Sequence, residues 1–432
     1  MRVLMFGWEF PPHISGGLGT ASYGLTKGMA TLDDLEVIFV VPKAFGDEDQ
    51  SMVRLVGANQ VPVAFKQVFY KGFRRPVERI EVSSKIVPYT DPEDFWKMVN
   101  SEVSGYNFYV KTNSRGKVDF SGRYDTNLMD EIYKYSVVAS VIADENEFDI
   151  IHAHDWLAYP AGIAAMEVSG KPLVIHVHAT DFDRSGGSVN PDVYRIEKNG
   201  MDAASKIITV SNLTRDIVIN KYNINPDKVE TVYNAVEPVK IAENCFIKKG
   251  FDEKVVTFLG RITMQKGPEY FIEAAYKVLQ VMDNVRFVMA GSGDMMERMI
   301  RRAAALKITD RFHFTGFLKG ADVFTMLDMS DVYIMPSVSE PFGISPLEAM
   351  QSNVPVIISK QSGVAEILTH AVKTDFWDID AMADAIYGIL NYPALSNMFI
   401  KNGKEEVIRL KWDNSARHVR DIYYRVINNK MN

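Results

Sequence analysis

The strongest constraint on this chain is a repeated alternation of short apolar runs with longer stretches of helical periodicity. In the second half, apolar runs at residues 255–259, 285–289, 312–314, 332–335 and 354–358 are separated by helical patterns at 269–281, 295–306, 322–329 and 346–351. A short apolar run between helices reads as a strand covered on both faces. Strands that alternate with helices build βαβ units and parallel sheets. The first half starts the same way, with strands predicted at 3–6, 35–41, 150–151 and 173–177 and helices from residue 21 and over 124–143. Alternating residues at 61–88 predict added hairpin strands, and the periodicity lapses at 238–254. The expectation is two Rossmann-like, doubly wound α/β domains facing across a cleft. Ligands of such sheets sit beyond the carboxyl ends of the strands.

Bulk properties agree with this reading. A chain of 432 residues suits two or three domains, and 47% hydrophobic with 24% charged residues is enough to bury a sizeable core. The formal charge of -7 argues against general nucleic-acid binding. Cys245 is the one cysteine, so no intramolecular disulfide forms, and it reads as a small hydrophobe near a loop rather than a nucleophile. The first apolar run ends at Trp8-Glu9, too short for a signal peptide. No later run reaches the roughly 18 apolar residues of a membrane span. The expected compartment is the cytoplasm.

Polar motifs stand where the predicted strands end. Gly16-Gly17-Leu18-Gly19 follows the first strand and precedes a helix. Glycines let the backbone approach a phosphate, and a helix start offers unpaired N–H groups. The run matches neither G-x-G-x-x-G nor the Walker pattern, so a tight turn without ligand competes. His152-Ala153-His154-Asp155-Trp156 closes another strand, and His176 and His178 repeat the spacing on the next. Residues two apart share a strand face, so the histidines align while Asp155 points away. Four imidazoles could hold a metal. The preferred reading is hydrogen bonding to sugar hydroxyls or phosphate oxygens, with His152 and His176 as satisfied residues behind.

Gly260-Arg261-Ile262-Thr263-Met264-Gln265-Lys266-Gly267-Pro268 places two cations between a strand end and a Gly-Pro helix start. Two fixed cations suit a nucleotide pyrophosphate and the charge that develops as it leaves; a solvated loop pair is the plainer reading. In Glu340-Pro341-Phe342-Gly343-Ile344-Ser345-Pro346-Leu347-Glu348, one carboxylate lies in a loop and one in the next helix. Gly343, Ile344 and Ser345 offer amides to a phosphate. Glu340 suits sugar hydroxyls, and Glu348 suits both hydroxyls of a ribose or simply a helix surface. Phe342 and Leu347 read as core. Asp181-Phe182-Asp183 matches the short D-x-D metal motif, and Asn212-Leu213-Thr214 matches a glycosylation sequon; both are discounted. Gly291-Ser292-Gly293 reads as a turn next to a phosphate or base, and Arg298, Arg301 and Arg302 as a solvated face.

In this order along nearly the whole chain, G-G-L-G, H-A-H-D-W, Thr209-Val210-Ser211, Asn234 before Ala235, G-R-x-x-x-x-K-G and E-x7-E resemble one family. It is the glycogen/starch synthase branch of retaining glycosyltransferases with the GT-B fold, close to the group-1 glycosyltransferases. The resemblance implies that His154 lies beside the donor sugar and Asn234 near its hydroxyls. It implies that Arg261 and Lys266 grip the diphosphate, Glu340 contacts the transferred sugar, Glu348 binds the ribose, and Gly17 lies near the pyrophosphate. The implied catalytic set is His154, Glu340, Arg261 and Lys266; Gly17, Asn234, Gly343, Ile344, Ser345 and Glu348 bind the donor. Transfer would proceed by internal return on one face, with no metal and no cofactor. The implied domains are 1–238 for the acceptor, 239–411 for the nucleotide-sugar, and 412–432 crossing back to the first.

The sequence departs from the synthase pattern at Ile14, where that pattern has Lys, and this puts ADP-glucose preference in doubt. The expected function is transfer of glucose from ADP- or UDP-glucose to an α-1,4-glucan. The alternative is a group-1 transferase with a small sugar or sugar-phosphate acceptor. A nucleotide-sugar epimerase on the same fold and a catalytically silent glucan-binding protein fit less well. The complete Arg261, Lys266, Glu340 and Glu348 set opposes a silent protein, and H-A-H-D-W opposes the epimerase.

Overall fold

A computed structural model describes residues 1–14, 16–63, 113, 116–122, 124, 128–238 and 249–431. Cys245 and nearly all of the predicted hairpin segment 61–88 lie outside the described residues. The first sheet contains β1 (Arg2–Phe6), β2 (Glu36–Val41), β3 (Arg54–Gly57), β4 (Ile150–His154), β5 (Leu173–Val177), β6 (Lys206–Thr209) and β7 (Val229–Thr231). The second contains β8 (Lys254–Leu259), β9 (Val285–Ala290), β10 (Phe312–Gly316), β11 (Val332–Met335), β12 (Val356–Ser359) and β13 (Val372–Thr374). The strand orders are β3-β2-β1-β4-β5-β6-β7 and β10-β9-β8-β11-β12-β13, and neighbouring strands pair in parallel.

Both sheets are built outward from their first strand. The chain steps from β1 to β2 and β3, then returns to place β4 on the other side of β1. The second sheet does the same around β8, with β11 on its far side. Each order therefore reverses once, between β1 and β4 and between β8 and β11. A reversal sends the two connecting helices to opposite faces and leaves a crevice at the strand ends.

Period-two alternation feeds two cores at once. In β1, Leu4 and Phe6 join a core with Tyr135 and Ile142 of the helix Leu128–Glu145. Val3 and Met5 face Leu25 of the helix Gly17–Met29, together with Trp412, Val419 and Tyr423 of the helix Trp412–Met431. Fully burying one such side chain contributes about 1.5–3 kcal/mol. The last helix thus follows elements of the second half and packs on the first sheet. In the second domain Val256 and Phe258 face Phe271 of the helix Pro268–Leu279. No helix of the described residues is long and apolar enough to cross a membrane.

Candidate active site

The charged motifs meet at the second reversal. β8 leads through Arg261 and a single 3-10 turn, Met264–Lys266, into the helix Pro268–Leu279, which has Pro at its start. β11 leads through Ser337 and Glu340 into the helix Ser345–Gln351, which carries Glu348. The Val338 amide donates to the Gln265 carbonyl at 2.9 Å, so the two loops lie side by side. Gly267 turns at φ +65°, and a Cβ there would stand 2.0 Å from the Pro336 carbonyl oxygen. Only glycine admits this approach.

The approach delivers the chemistry. Lys266 Nζ forms an ion pair with Glu340 Oε2, and Ser337 Oγ donates to the same oxygen at 3.3 Å. Glu340 is buried, while Arg261, on the same loop as Lys266, is exposed and donates to Gln265 Oε1 at 3.4 Å. The backbone of Glu340 is braced on its other side: its N–H donates to the Gln361 carbonyl and its carbonyl accepts from the Gly363 N–H, both at 2.9 Å. Burial pushes the Glu348 carboxyl up to about 7. Ser345 Oγ accepts from the Tyr333 hydroxyl at 2.8 Å, and Ile344 packs against the first domain's core. The Gly291-Ser292-Gly293 turn borders this loop for a packing reason. A Cβ at Gly291 would stand 1.8 Å from the Gly260 carbonyl oxygen, and Ile262 N–H donates to the Ser292 carbonyl at 2.9 Å.

The first reversal carries different groups. The helix Gly17–Met29 starts after an extended Gly16 with no side-chain cap, and nothing lies within 4 Å of a Cβ built at Gly16 or Gly17. At β4 and β5 the four histidines stack, with ring centroids 4.3 Å apart for His152 and His154 and 4.4 Å for His176 and His178. His154 pairs in register with His176, so His178 stands nearer the cleft. His154 Nδ1 lies 2.9 Å from His178 Nε2, and His152 Nδ1 meets the Tyr423 hydroxyl. Burial pulls His152 and His178 down to about 3 and the other two well below the usual range, so all four rings are neutral at pH 7.

Two sequence expectations change here. His176 is not a satisfied residue, since neither ring nitrogen has a protein partner, and His152 uses only one of its two. The rings pack on one another instead of on hydrogen-bonding groups. His154 has no exposed surface, whereas His178 keeps 9%, so His178 forms the cleft end of the stack. The repeated H-x-H spacing was the available signal for His178. Ring nitrogens of His152, His154 and His176 lie within 4.8 Å of one another. Their planes are tilted by only 13–24°, which aims the lone pairs side by side rather than at one point.

Asn234 is buried in the segment that follows β7. Among the described residues, Gly17, His154 and Asn234 make no hydrogen bond to Arg261, Lys266, Glu340 or Glu348. The domains are nevertheless in contact beside the site. Glu366 of the second accepts from the Asn212 and Leu213 amides at 2.9 and 2.7 Å and from the Tyr233 hydroxyl at 2.9 Å.

Comparison with known proteins agrees with this architecture. Residues 243–406 match the model described as glycosyl transferases group 1, and residues 125–240 match that of glycosyltransferase family 4. An uncharacterized glycosyltransferase of Methanocaldococcus jannaschii is 27% identical over 98% of this chain and 98% of its own length. A glycogen synthase of Mycobacterium tuberculosis is 21% identical over 98% of this chain and 94% of its own. The structure of a sucrose-phosphate synthase from Thermosynechococcus elongatus superposes with a TM-score of 0.70 at 16% identity, covering 99% of both chains. The chain is a glycosyltransferase of the GT-B fold, with a group-1 glycosyltransferase domain as its second half.

Proposed function

We propose that this enzyme is a retaining hexosyltransferase that moves glucose from ADP- or UDP-glucose to the non-reducing end of an α-1,4-glucan. The observation that carries this reading is the Lys266–Glu340 pair held at the second reversal, with Arg261 exposed on the same loop as Lys266. A carboxylate for sugar hydroxyls and two cations for a diphosphate are then adjacent, as a nucleotide-sugar requires. Residues 239–411 hold the donor. Glu348 accepts from the ribose hydroxyls, the amides of Gly343, Ile344 and Ser345 face phosphate oxygens, and Glu340 binds the glucose. Residues 1–238 take the acceptor, bringing Gly17 to the pyrophosphate and His154 and Asn234 to the donor sugar.

The bond from glucose C1 to the diphosphate oxygen breaks with its electron pair leaving on the diphosphate. Arg261 and Lys266 stabilise that charge as it develops, which is where fixed cations lower a barrier. The acceptor hydroxyl bonds to C1 on the same face and passes its proton to a diphosphate oxygen, so configuration is retained. The likeness to a glycogen synthase along nearly the whole chain supports the glucan acceptor. Ile14, where the synthase pattern has Lys, favours the second reading, a small sugar or sugar-phosphate acceptor.

The test supplies ADP-, UDP- and GDP-glucose with glycogen and follows polymer-bound label. Incorporation released by an α-1,4-specific digest supports the glucan reading and names the donor. An α-configured product assigned by NMR supports retention. No incorporation, with nucleotide released only when small sugars are added, transfers the assignment to the small-acceptor enzyme.

A further inference from the structure

The Asp181-Phe182-Asp183 segment, discounted above as a metal motif, is tied to the site from the opposite domain. It forms a short helix, Asp181–Ser185, beyond β5, fastened on several sides. Arg184 donates to Asp155 Oδ2 at 3.1 Å and to Glu197 Oε1 at 3.2 Å, and the Asp181 amide donates to Glu197 at 3.0 Å. Asp155 Oδ1 in turn accepts from the His178 amide at 3.0 Å. Within the turn, Asp183 Oδ2 accepts from the Thr180 amide and hydroxyl, both at 2.8 Å. Asp181 Oδ2 accepts from the Asn190 amide at 2.6 Å, so the two carboxylates serve different backbones and do not converge.

One oxygen remains. Asp183 Oδ1 accepts from Ser339 Oγ at 2.6 Å, and Ser339 is the residue before Glu340. Asp183 is 1% exposed, and a buried carboxylate oxygen without a donor is costly. The first domain therefore offers a rigid, charged acceptor that is completed only when the second domain stands against it. Closing that bond fixes the backbone beside Glu340.

We propose that Asp183 is a positioning residue that ties the approach of the two domains to the alignment of Glu340. This rests on the reading of Glu340 as the sugar-binding carboxylate. A second inter-domain contact lies at the start of the helix Asn212–Tyr222, where Glu366 accepts from the Asn212 and Leu213 amides and Thr214 Oγ1 reaches the Pro341 carbonyl at 3.5 Å; the Asp183–Ser339 bond is shorter and engages a charged, buried acceptor.

The test is a double-mutant cycle with Ser339→Ala and Asp183→Ala, plus Ser339→Thr, measured as kcat and donor KM, with Glu340→Ala alongside. Ser339→Ala removes one hydroxyl and leaves the Asp183 turn intact, so it carries the test even where Asp183→Ala unfolds the loop. Each single variant is expected to lower kcat about tenfold, the fold-change of one charge-assisted hydrogen bond, with donor KM little changed. The double variant is expected to be no worse than either single one, and Ser339→Thr to recover activity. Wild-type kcat in Ser339→Ala, or additive losses in the cycle, overturns the proposal. Should Glu340→Ala stay inactive in that case, only the positioning role falls. An active Glu340→Ala overturns the site reading itself.

Discussion

The two reversals share one topology and differ in chemistry. Between β8 and β11 the crevice is charged: Arg261 is exposed, Lys266 is paired with Glu340, and Glu348 stands half-buried behind them. Between β1 and β4 the glycines at 16 and 17 are open, burial keeps the four histidines neutral, and the Asp155 carboxylate is already paired with Arg184. Topology alone therefore supplies a place for a ligand but not its kind. In a transfer reaction that releases a diphosphate, most of the charge to be stabilised belongs to the leaving group, so one side of the cleft needs fixed ions. The other side needs only neutral groups that orient a sugar.

The comparison breaks first at Lys266. Lys266→Ala is expected to lower kcat by about 10²–10³-fold, the usual loss for one group aimed at developing charge. Glu340→Ala should fall in the same range through lost sugar alignment. Both should keep a cooperative melting transition, because the pair lies at the cleft and not in either core. Near wild-type turnover in either, measured by initial rates at saturating donor, removes the charged reversal from the mechanism.

A smaller effect is expected on the neutral side. His154→Ala and His178→Ala each remove one half of the 2.9 Å ring contact and should lower kcat/KM about tenfold, in line with the loss of a hydrogen bond at a binding site. His152→Ala should leave kcat unchanged and act on stability instead, since its partner is Tyr423 of the last helix. Equal losses at Lys266 and His154 would erase the division between a charged and a neutral side.

Much of this layout is legible in sequence, for a physical reason. Parallel strands covered on both faces have to be apolar, and the polar residues that end them are the ones facing the crevice. Arg261, Glu340 and the histidines therefore announce themselves. β3, β7 and β13 escape the reading because they are short edge strands; Val-Glu-Thr at β7 is only partly buried and carries little apolar signal, and β6, though interior and buried, escapes it with only four residues. The depth of His154 against His178 depends on strand register, which no local pattern encodes. The reason for Gly291 lies in its contact with Gly260, and the role of Asp183 in Ser339, 156 residues away. Such pairings exist only once the sheets are assembled.

Glu348 gives a finer test within the charged side. On the proposed role only its carboxylate form would accept from both ribose hydroxyls, and burial raises it to about 7. Donor KM is therefore expected to fall several-fold as pH rises through about 7, and Glu348→Gln to flatten that profile. Stability runs the other way. The folded group binds protons more tightly than the ordinary value of 4.5, so its contribution is fully present below that value and is lost as pH rises through about 7. Melting temperature and donor KM should therefore both fall as pH rises over this range, stability being lost while affinity is gained. A KM that rises while the melting temperature falls would place the titration on another group.

The smallest expected effect is none at all, under chelation. If the first reversal works through neutral rings, dialysis against EDTA should leave both kcat and the melting temperature unchanged. The near-parallel stack supports this, because imidazoles that share a metal turn their lone pairs toward one point, at about 2.0–2.1 Å for zinc. A chelator-sensitive melting temperature with unchanged kcat would mean that the rings close on an ion that clamps β4 and β5. A loss of kcat would move charge to the first reversal and undo the contrast between the two sides of the cleft.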